Sequence, residues 1–494
     1  MKTRSAVVIG AGVGGIAAAT HLARRGLQVT VFEKNARPGG RLDHFWREGH
    51  HFDVGPTLFI MPRVYEAEFA LLGAALHEEL DLLRVDPTYT LVFDDGLRLP
   101  LTSDAETMRR ELESIESGSF QSYLRYMEEG ARHYRLAMEH LVERDPRRLT
   151  DLLSPRTLAA LWQVSPLRPH YDHMRTFFDD PRLKAAFTFQ DIYMGLSPFE
   201  APATFSMMPY TELADGVWFP RGGMYQVVEA LMGLARRAGV EFVFNAAVEQ
   251  IEVERGRVRR VHIEGGRQVA AEAVLANADL PYVYQRLLPH DHLAESIAHK
   301  RFSGSVISFF WGLDRRAEGL GPHTLFLSDD FRGDFDRIEH HLPPSQEPSL
   351  YLHAPSRIDA CLAPPGQDTL VAIVPVGHIV AADRQDWGEV RDLARQAVFR
   401  RLAKVGHAQV ESHIKFEVSY TPLSWKKRYN LMNGATHGLS HALTQLSYFR
   451  PSNRHPRYRN LYFVGASTRP GTGVPTAMIS ARLTSARMLE DMGL

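Results

Sequence analysis

Apolar residues in this chain are arranged in two ways: short uninterrupted runs near both ends, and helical spacing through much of the interior. Ala6–Ile9 and Gln28–Phe32 read as buried strands, and the small-residue stretch between them predicts a helix running to about Arg25 and closed by Gly26. From about Leu80 to Tyr210 charged and apolar positions recur at helical spacing, as in Met108–Ile115 and Tyr123–Leu141, with Pro146, Pro155, Pro166 and Pro169 as punctuation. A further amphipathic helix is expected over Tyr225–Ala238. After it come strand-like runs at Glu241–Phe244, Val248–Val253, Arg257–Ile263 and Val269–Leu275, whose turns at Arg255-Gly256 and Gly265-Gly266 predict a small antiparallel meander. Beyond Lys300 the pattern predicts strands at Val306–Leu313, Thr324–Leu327, Leu350–His353 and Thr369–Val374, and one clear helix over Trp387–Val405. A last helix is expected over Thr476–Met492.

At 494 residues the chain has length for two or three domains with ample core. Its 57 basic and 58 acidic side chains nearly cancel, which gives no reason to expect a nucleic-acid partner. Cys361 is the only cysteine, so an intrachain disulfide and a multi-cysteine metal site are both excluded, and a reducing cytoplasm is expected. The uncharged run Ser5–Ala23 is long enough to imitate a membrane span, but its glycines fit a strand-turn-helix unit better. Any membrane contact is therefore expected to be peripheral. The 23 histidines show no H-E-x-x-H spacing and no G-x-S-x-G elbow occurs, so no metal is expected and nucleophilic catalysis finds no support.

Chemistry enters with the first turn. Gly10, Gly12 and Gly15 follow the first strand at the spacing G-x-G-x-x-G and open the helix. Such glycines allow the tight turn, the approach of a pyrophosphate to the backbone and close helix-strand packing. Glu33 ends the second strand, where an acid accepts hydrogen bonds from a ribose diol. Together they predict a dinucleotide site, with phosphates at a helix N-terminus. Arg37-Pro-Gly-Gly-Arg41 and Phe52-Asp-Val-Gly-Pro-Thr57 follow directly, the first as a second phosphate-facing loop carrying a guanidinium.

These two segments resemble the superfamily of FAD-containing amine oxidases and carotenoid desaturases. The C-terminal Asn460-Leu-Tyr-Phe-Val-Gly-Ala-Ser-Thr-Arg-Pro-Gly-Thr-Gly-Val-Pro475, with Ser349-Leu-Tyr-Leu-His-Ala-Pro355, resembles more specifically the bacterial and fungal type of phytoene desaturase. The resemblance covers essentially the whole chain and implies an α/β flavoprotein of the two-dinucleotide-binding-domain type. It implies a Rossmann-like FAD domain made of 1–80, 211–299 and 457–494, a helical insertion over 81–210 for substrate or membrane, and a β-rich substrate portion over 300–456. For the cofactor it implies Gly10, Gly12, Gly14, Gly15, Glu33 and Lys34 at one end. Gly40, Arg41, Gly55, Pro56 and Thr57 follow, and Arg221, Gly222 and Gly223 are placed near the isoalloxazine. Val248 is placed at the adenine, Asn277 and Asp279 beyond the last strand, and Gly465, Ala466, Gly473, Val474 and Pro475 in the C-terminal loop.

The implied activity is FAD-dependent desaturation of a long isoprenoid hydrocarbon, with a membrane surface as partner and oxygen or a quinone as electron acceptor. Within the same class a C30 or modified substrate, or carotene isomerisation, remains open. Rab GDP-dissociation inhibitors share the fold and bind prenyl chains without catalysis, and amine oxidation is a third alternative. The stretch Phe177–Tyr210, rich in Phe, Met and Tyr, reads either as helical core or as an apolar tunnel for a greasy substrate. Asp151 and Arg332 are candidates for assisting proton loss, each by resemblance to cavity-lining segments, with helix capping as the alternative for Asp151. His353 and His378 are further candidate bases.

Overall fold

The computed structural model describes residues 4–164, 167–288, 291–380 and 385–494, so that Pro166 lies outside the described residues. The strand Ser5–Ile9 is buried on both faces and stands at the centre of a five-stranded sheet that is parallel throughout. Its neighbours are Gln28–Phe32 and Ala273–Ala276, and the edges are Glu241–Val243 and Leu461–Phe463, so the first and last thirds of the chain meet in one layer. The helices Val13–Ala23 and Val474–Met492 lie together against this sheet. Alanines on the first helix let them approach closely, and Ser485 Oγ reaches Ala18 O at 3.4 Å.

Two corrections to the sequence reading follow. The run 269–275 is not one strand: Arg267–Ala270 closes the meander begun by Val248–Glu254 and Arg257–Ile263, and Ala273–Ala276 enters the parallel sheet. The segment 81–103 is not helical. Tyr89–Phe93 and Arg98–Leu101 form the edge of a second, seven-stranded sheet, with Tyr89–Phe93 parallel to His323–Leu327. Tyr, Thr, Val and Phe in that run favour an extended chain over a helix. The rest of this sheet is antiparallel, with Ser305–Leu313 between Asp368–Val376 and Ile414–Tyr420. Helical structure in the insertion begins at Ala105–Ile115, which Asp104 caps by accepting the Thr107 N–H at 2.7 Å, and continues in Ser119–Ala137.

Candidate active site

A cavity of about 860 Å³ runs from the first glycine turn, between the two sheets, to the surface of the helical insertion. At its inner end the glycines are fixed by contact. A Cβ on Gly12 would stand 2.8 Å from Asn277 Nδ2, one on Gly14 2.5 Å from Val464 Cγ1, and one on Gly15 2.1 Å from the Gly10 carbonyl oxygen. Gly39 N–H donates to Ala11 O at 2.8 Å, which ties the second glycine loop to the first. Glu33 is buried and accepts the N–H groups of Ala11 and Asn35, both at 2.8 Å, while burial raises its pKa.

Two helix N-termini open on the cavity without a side-chain cap, at Gly12 and at Gly473. Their free N–H groups favour an anion or a carbonyl oxygen there. Arg41 lines the same region, donating to Thr436 O at 2.6 Å with Asp279 as its counter-charge. Asp279 itself accepts Ser467 Oγ–H at 2.8 Å and Met432 N–H at 3.0 Å. Lys34 Nζ donates to Asn430 Oδ1 at 2.9 Å and to Lys427 O at 3.2 Å. Gly55, Pro56, Thr57, Val248, Gly465 and Ala466 also line the cavity, as do Val474 and Pro475, whereas Gly15 serves the packing beneath it.

Arg221, Gly222 and Gly223 do not line it, contrary to the sequence expectation. Arg221 is exposed and paired with Asp81 Oδ2 at 2.6 Å, and Gly222 N–H donates to Asp359 at 2.8 Å. This turn instead starts the helix Gln226–Arg237 above the buried Asp53, which accepts the N–H groups of Met224 and Tyr225 and whose pKa burial pushes up to about 7.

The two catalytic candidates are corrected in the same way. Asp151 is exposed and accepts the backbone N–H groups of Arg147 and Arg148 at 2.8 and 2.9 Å, so it caps a turn. Arg332 is exposed with its guanidinium stacked 3.7 Å above the Phe199 ring; its neighbours Phe331 and Phe335 face the cavity instead. Neither reaches the cavity. His353 is buried, donates to Pro322 O at 3.0 Å and is pushed down to about 4 by burial, and His378 lies beside Phe302 and His341, also off the cavity. Cys361 is exposed.

Sequence reasoning missed the groups that organise the outer half. His441 Nε2 accepts the Thr472 N–H at 3.1 Å, which leaves the ring proton on Nδ1 for Met194 O at 2.9 Å. Arg450 is buried and gives its five N–H bonds to the carbonyls of Leu439, Ser440, Gln445, Ala466 and Thr468. Both hold the C-terminal loop against the outer half of the cavity. In the insertion, Phe189, Tyr193, Met194, Phe205, Met207 and Met208 line the cavity, while Phe187 and Phe178 stack in the core. Tunnel and core therefore divide the aromatic stretch between them.

A dinucleotide turn, a buried carboxylate at the second strand and a second helix N-terminus from the far end of the chain define a flavoprotein of the two-dinucleotide-binding-domain type. Residues 13–489 match the family of flavin containing amine oxidoreductases, and the chain belongs to it. It is 45% identical over 491 residues to the zeta-carotene-forming phytoene desaturase of Myxococcus xanthus, covering 98% of this chain and 94% of that one. It is 38% identical to the phytoene desaturase of Fusarium fujikuroi, over 99% of this chain and 90% of that one. The 4,4'-diapophytoene desaturase (4,4'-diaponeurosporene-forming) of Staphylococcus haemolyticus is 32% identical over 98% of both chains. Among solved structures, putrescine oxidase bound to putrescine superposes with a TM-score of 0.66 over 99% of both chains at 17% identity, a likeness of fold. The chain is an FAD-dependent oxidoreductase.

Proposed function

We propose that this enzyme desaturates a long isoprenoid hydrocarbon, phytoene being the substrate of its most similar relatives named above. The observation that carries the reading is the continuity of one cavity, cofactor cradle at one end and apolar side chains such as Ile192, Leu325, Leu350 and Ile373 along the rest. A hydrocarbon offers no group for a salt bridge, so its affinity comes from apolar burial, about 0.8 kcal/mol per CH2. The prenyl-binding alternative finds no support among the relatives.

FAD would be held by Gly10, Gly12, Gly14 and Arg41 at its diphosphate, Glu33 at a ribose, Val248 at the adenine and the loop Gly465–Pro475 at the flavin side. When bound it supplies the hydride acceptor for removing two hydrogens from neighbouring carbons. The protein's own part is to orient the chain and exclude water. His441 and Arg450 hold the loop 466–473 rigid, and the neutral His437, pushed down to about 4 by burial, adds no charge to the wall.

A long hydrocarbon partitions into apolar surroundings such as a bilayer, and exposed apolar residues border the cavity. No helix among the described residues is long and apolar enough to cross a bilayer. Leu149, Leu153, Leu158, Trp162 and Leu167 are exposed, Trp162 at 88%, beside the lining residues Leu152 and Val164. This face rests on the membrane and draws substrate from it, with oxygen or a membrane quinone as final electron acceptor. Purified, FAD-loaded protein given phytoene in liposomes is expected to form conjugated carotenes; a yellow, folded protein that forms none would overturn the reading.

A further inference from the structure

On the insertion side, where Thr57 meets the apolar channel, the cavity wall carries a group of tyrosine hydroxyls backed by a buried acid. Tyr193 lines the cavity, and its hydroxyl lies 2.6 Å from that of Tyr89. Tyr89 in turn donates to Glu212 Oε1 at 3.0 Å, and Gln190 Nε2 donates to Glu212 Oε2 at 3.2 Å. Tyr193 is also hydrogen-bonded to Glu212. Tyr89, Gln190 and Glu212 are all buried, and the carboxyl group's partners are neutral. Across the same wall Tyr351 Oη bonds Thr57 Oγ1 at 2.8 Å and His323 Nδ1 at 2.6 Å, which fixes the cradle against this group.

A buried acid without a cation is costly to fold. Its connection to the cavity through a single hydroxyl gives it a use. We propose, resting on the desaturase reading above, that Tyr193 is the acid-base residue that takes up the proton lost from the hydrocarbon, and that Tyr89 and Glu212 store that proton behind the cavity wall until it returns through Tyr193 to the final acceptor.

A hydride leaves one carbon with its electron pair for the flavin. The adjacent carbon loses a proton to Tyr193 Oη, and its C–H electron pair becomes the new double bond. The Tyr193 hydroxyl proton passes to Tyr89 Oη, that of Tyr89 passes to Glu212 Oε1, and the carboxylate ends as a neutral acid. The final acceptor, oxygen or a quinone, takes two electrons and two protons per double bond, one proton with the hydride and one from the relay.

Groups facing Glu212 come from four elements: Tyr89 from its strand, Gln190 and Tyr193 from the turn 189–194, Tyr351 from the strand Leu350–His353 of the same sheet as Tyr89, and Tyr126 from the helix Ser119–Ala137. His323, beside Tyr89, is kept neutral by burial. Burial pushes Glu212 up to about 8, so its accepting form grows as pH rises through that value.

The test compares wild type, Tyr193→Phe and Glu212→Gln, each FAD-loaded, on phytoene in liposomes across about pH 6.5 to 9. Wild-type turnover is expected to rise through about pH 8. Both variants should turn over on the order of a hundredfold more slowly with unchanged KM, and Glu212→Gln should show no rise with pH. Independently of turnover, infrared difference spectra of wild type near neutral pH should carry a protonated-carboxyl band, sensitive to D2O, that Glu212→Gln lacks. Should Tyr193→Phe lose FAD, Glu212→Gln breaks the same relay behind the wall and must by itself lose the pH dependence. Variants that keep wild-type turnover and its pH profile, or a missing carboxyl band, overturn the relay alone. Wild type that forms no conjugated product overturns the desaturase reading and the relay with it.

Discussion

His441 accepts the backbone N–H of Thr472 through Nε2 at 3.1 Å, and this bond ties the outer half of the cavity to the C-terminal loop 465–475. Its other nitrogen donates to Met194 O in the insertion at 2.9 Å, so one ring links two regions more than two hundred residues apart. The ring works only as a neutral donor-acceptor, and burial with the nearby Arg450 keeps it so, well below the ordinary histidine range. Replacement by leucine leaves the Thr472 N–H without its partner at a cost of about 1–3 kcal/mol. His441→Leu is expected to weaken FAD retention by at least roughly tenfold, and His441→Gln, whose carbonyl can still accept, to recover part of it. Flavin-to-protein ratio after dialysis measures both.

Arg450 anchors the same loop more broadly. Its five donors all end on carbonyls of 439–445 and 466–468, and no carboxylate is among these partners. Removing the guanidinium leaves those carbonyls buried and unpaired, so Arg450→Met is expected to destabilise by at least about 3 kcal/mol. Lysine does not rescue it, because one ammonium with three donors cannot match a planar fork with five. Thermal unfolding of the FAD-free variants checks this, and Arg450→Lys melting with wild type would contradict it.

These two residues also mark the limit of what the chain discloses by itself. The glycine turn, Glu33 and the loop Gly465–Pro475 were legible because their constraints are local: a Cβ on Gly15 would lie 2.1 Å from the carbonyl of Gly10, five positions back. The central strands Ser5–Ile9 and Gln28–Phe32 of the parallel sheet were legible because they are largely buried and mostly apolar, whereas Glu241–Val243 and Ala273–Ala276 were read with the meander. His441, Arg450 and the group Tyr89-Tyr193-Glu212 were not, since each draws its partners from distant segments and has no periodic or spaced signature. Trp218–Gly223 misled in the opposite direction. Its glycines do adopt left-handed conformations, at φ of 89° and 102°, yet they serve the start of a helix above Asp53, away from the cavity. Asp151 and Arg332 failed because a resemblance places a segment near a cavity without saying which way one side chain points.

His353 supplies a pH prediction whose sign follows from burial. Its folded pKa is pushed down to about 4, against an ordinary value of 6.5, so below that ordinary value the unfolded chain binds a proton that the folded one refuses. Its contribution therefore erodes stability as pH falls from about 6.5 to about 4, by up to ~3 kcal/mol. His353→Gln removes this term. Relative to wild type it is expected to gain stability progressively as pH is lowered across that window, with no further gain below it. Chemical denaturation at a series of pH values gives the difference curve directly, and a difference that is flat with pH would show that burial leaves His353 unshifted from its unfolded value.

The exposed apolar face around the cavity mouth makes the last prediction. Leu158 and Trp162 stand one helical turn apart on Pro155–Gln163, both exposed, and Phe449 and Leu443 are exposed on the opposite rim while also lining the cavity. A large apolar side chain moved from water into an apolar setting is worth about 1.5–3 kcal/mol. Arg156 on this helix and Arg148 shortly before it, both exposed, add attraction to anionic headgroups that salt screens. Trp162→Asp with Leu158→Asp should then lower co-sedimentation with anionic liposomes by tenfold or more, on the scale of that apolar term. Because neither side chain lines the cavity, FAD content and melting temperature should stay at wild-type values. Turnover should fall when phytoene is supplied in liposomes and recover when it is supplied in detergent micelles, which separates delivery of the substrate from its chemistry. Undiminished liposome binding by the double variant would remove this face from the membrane contact.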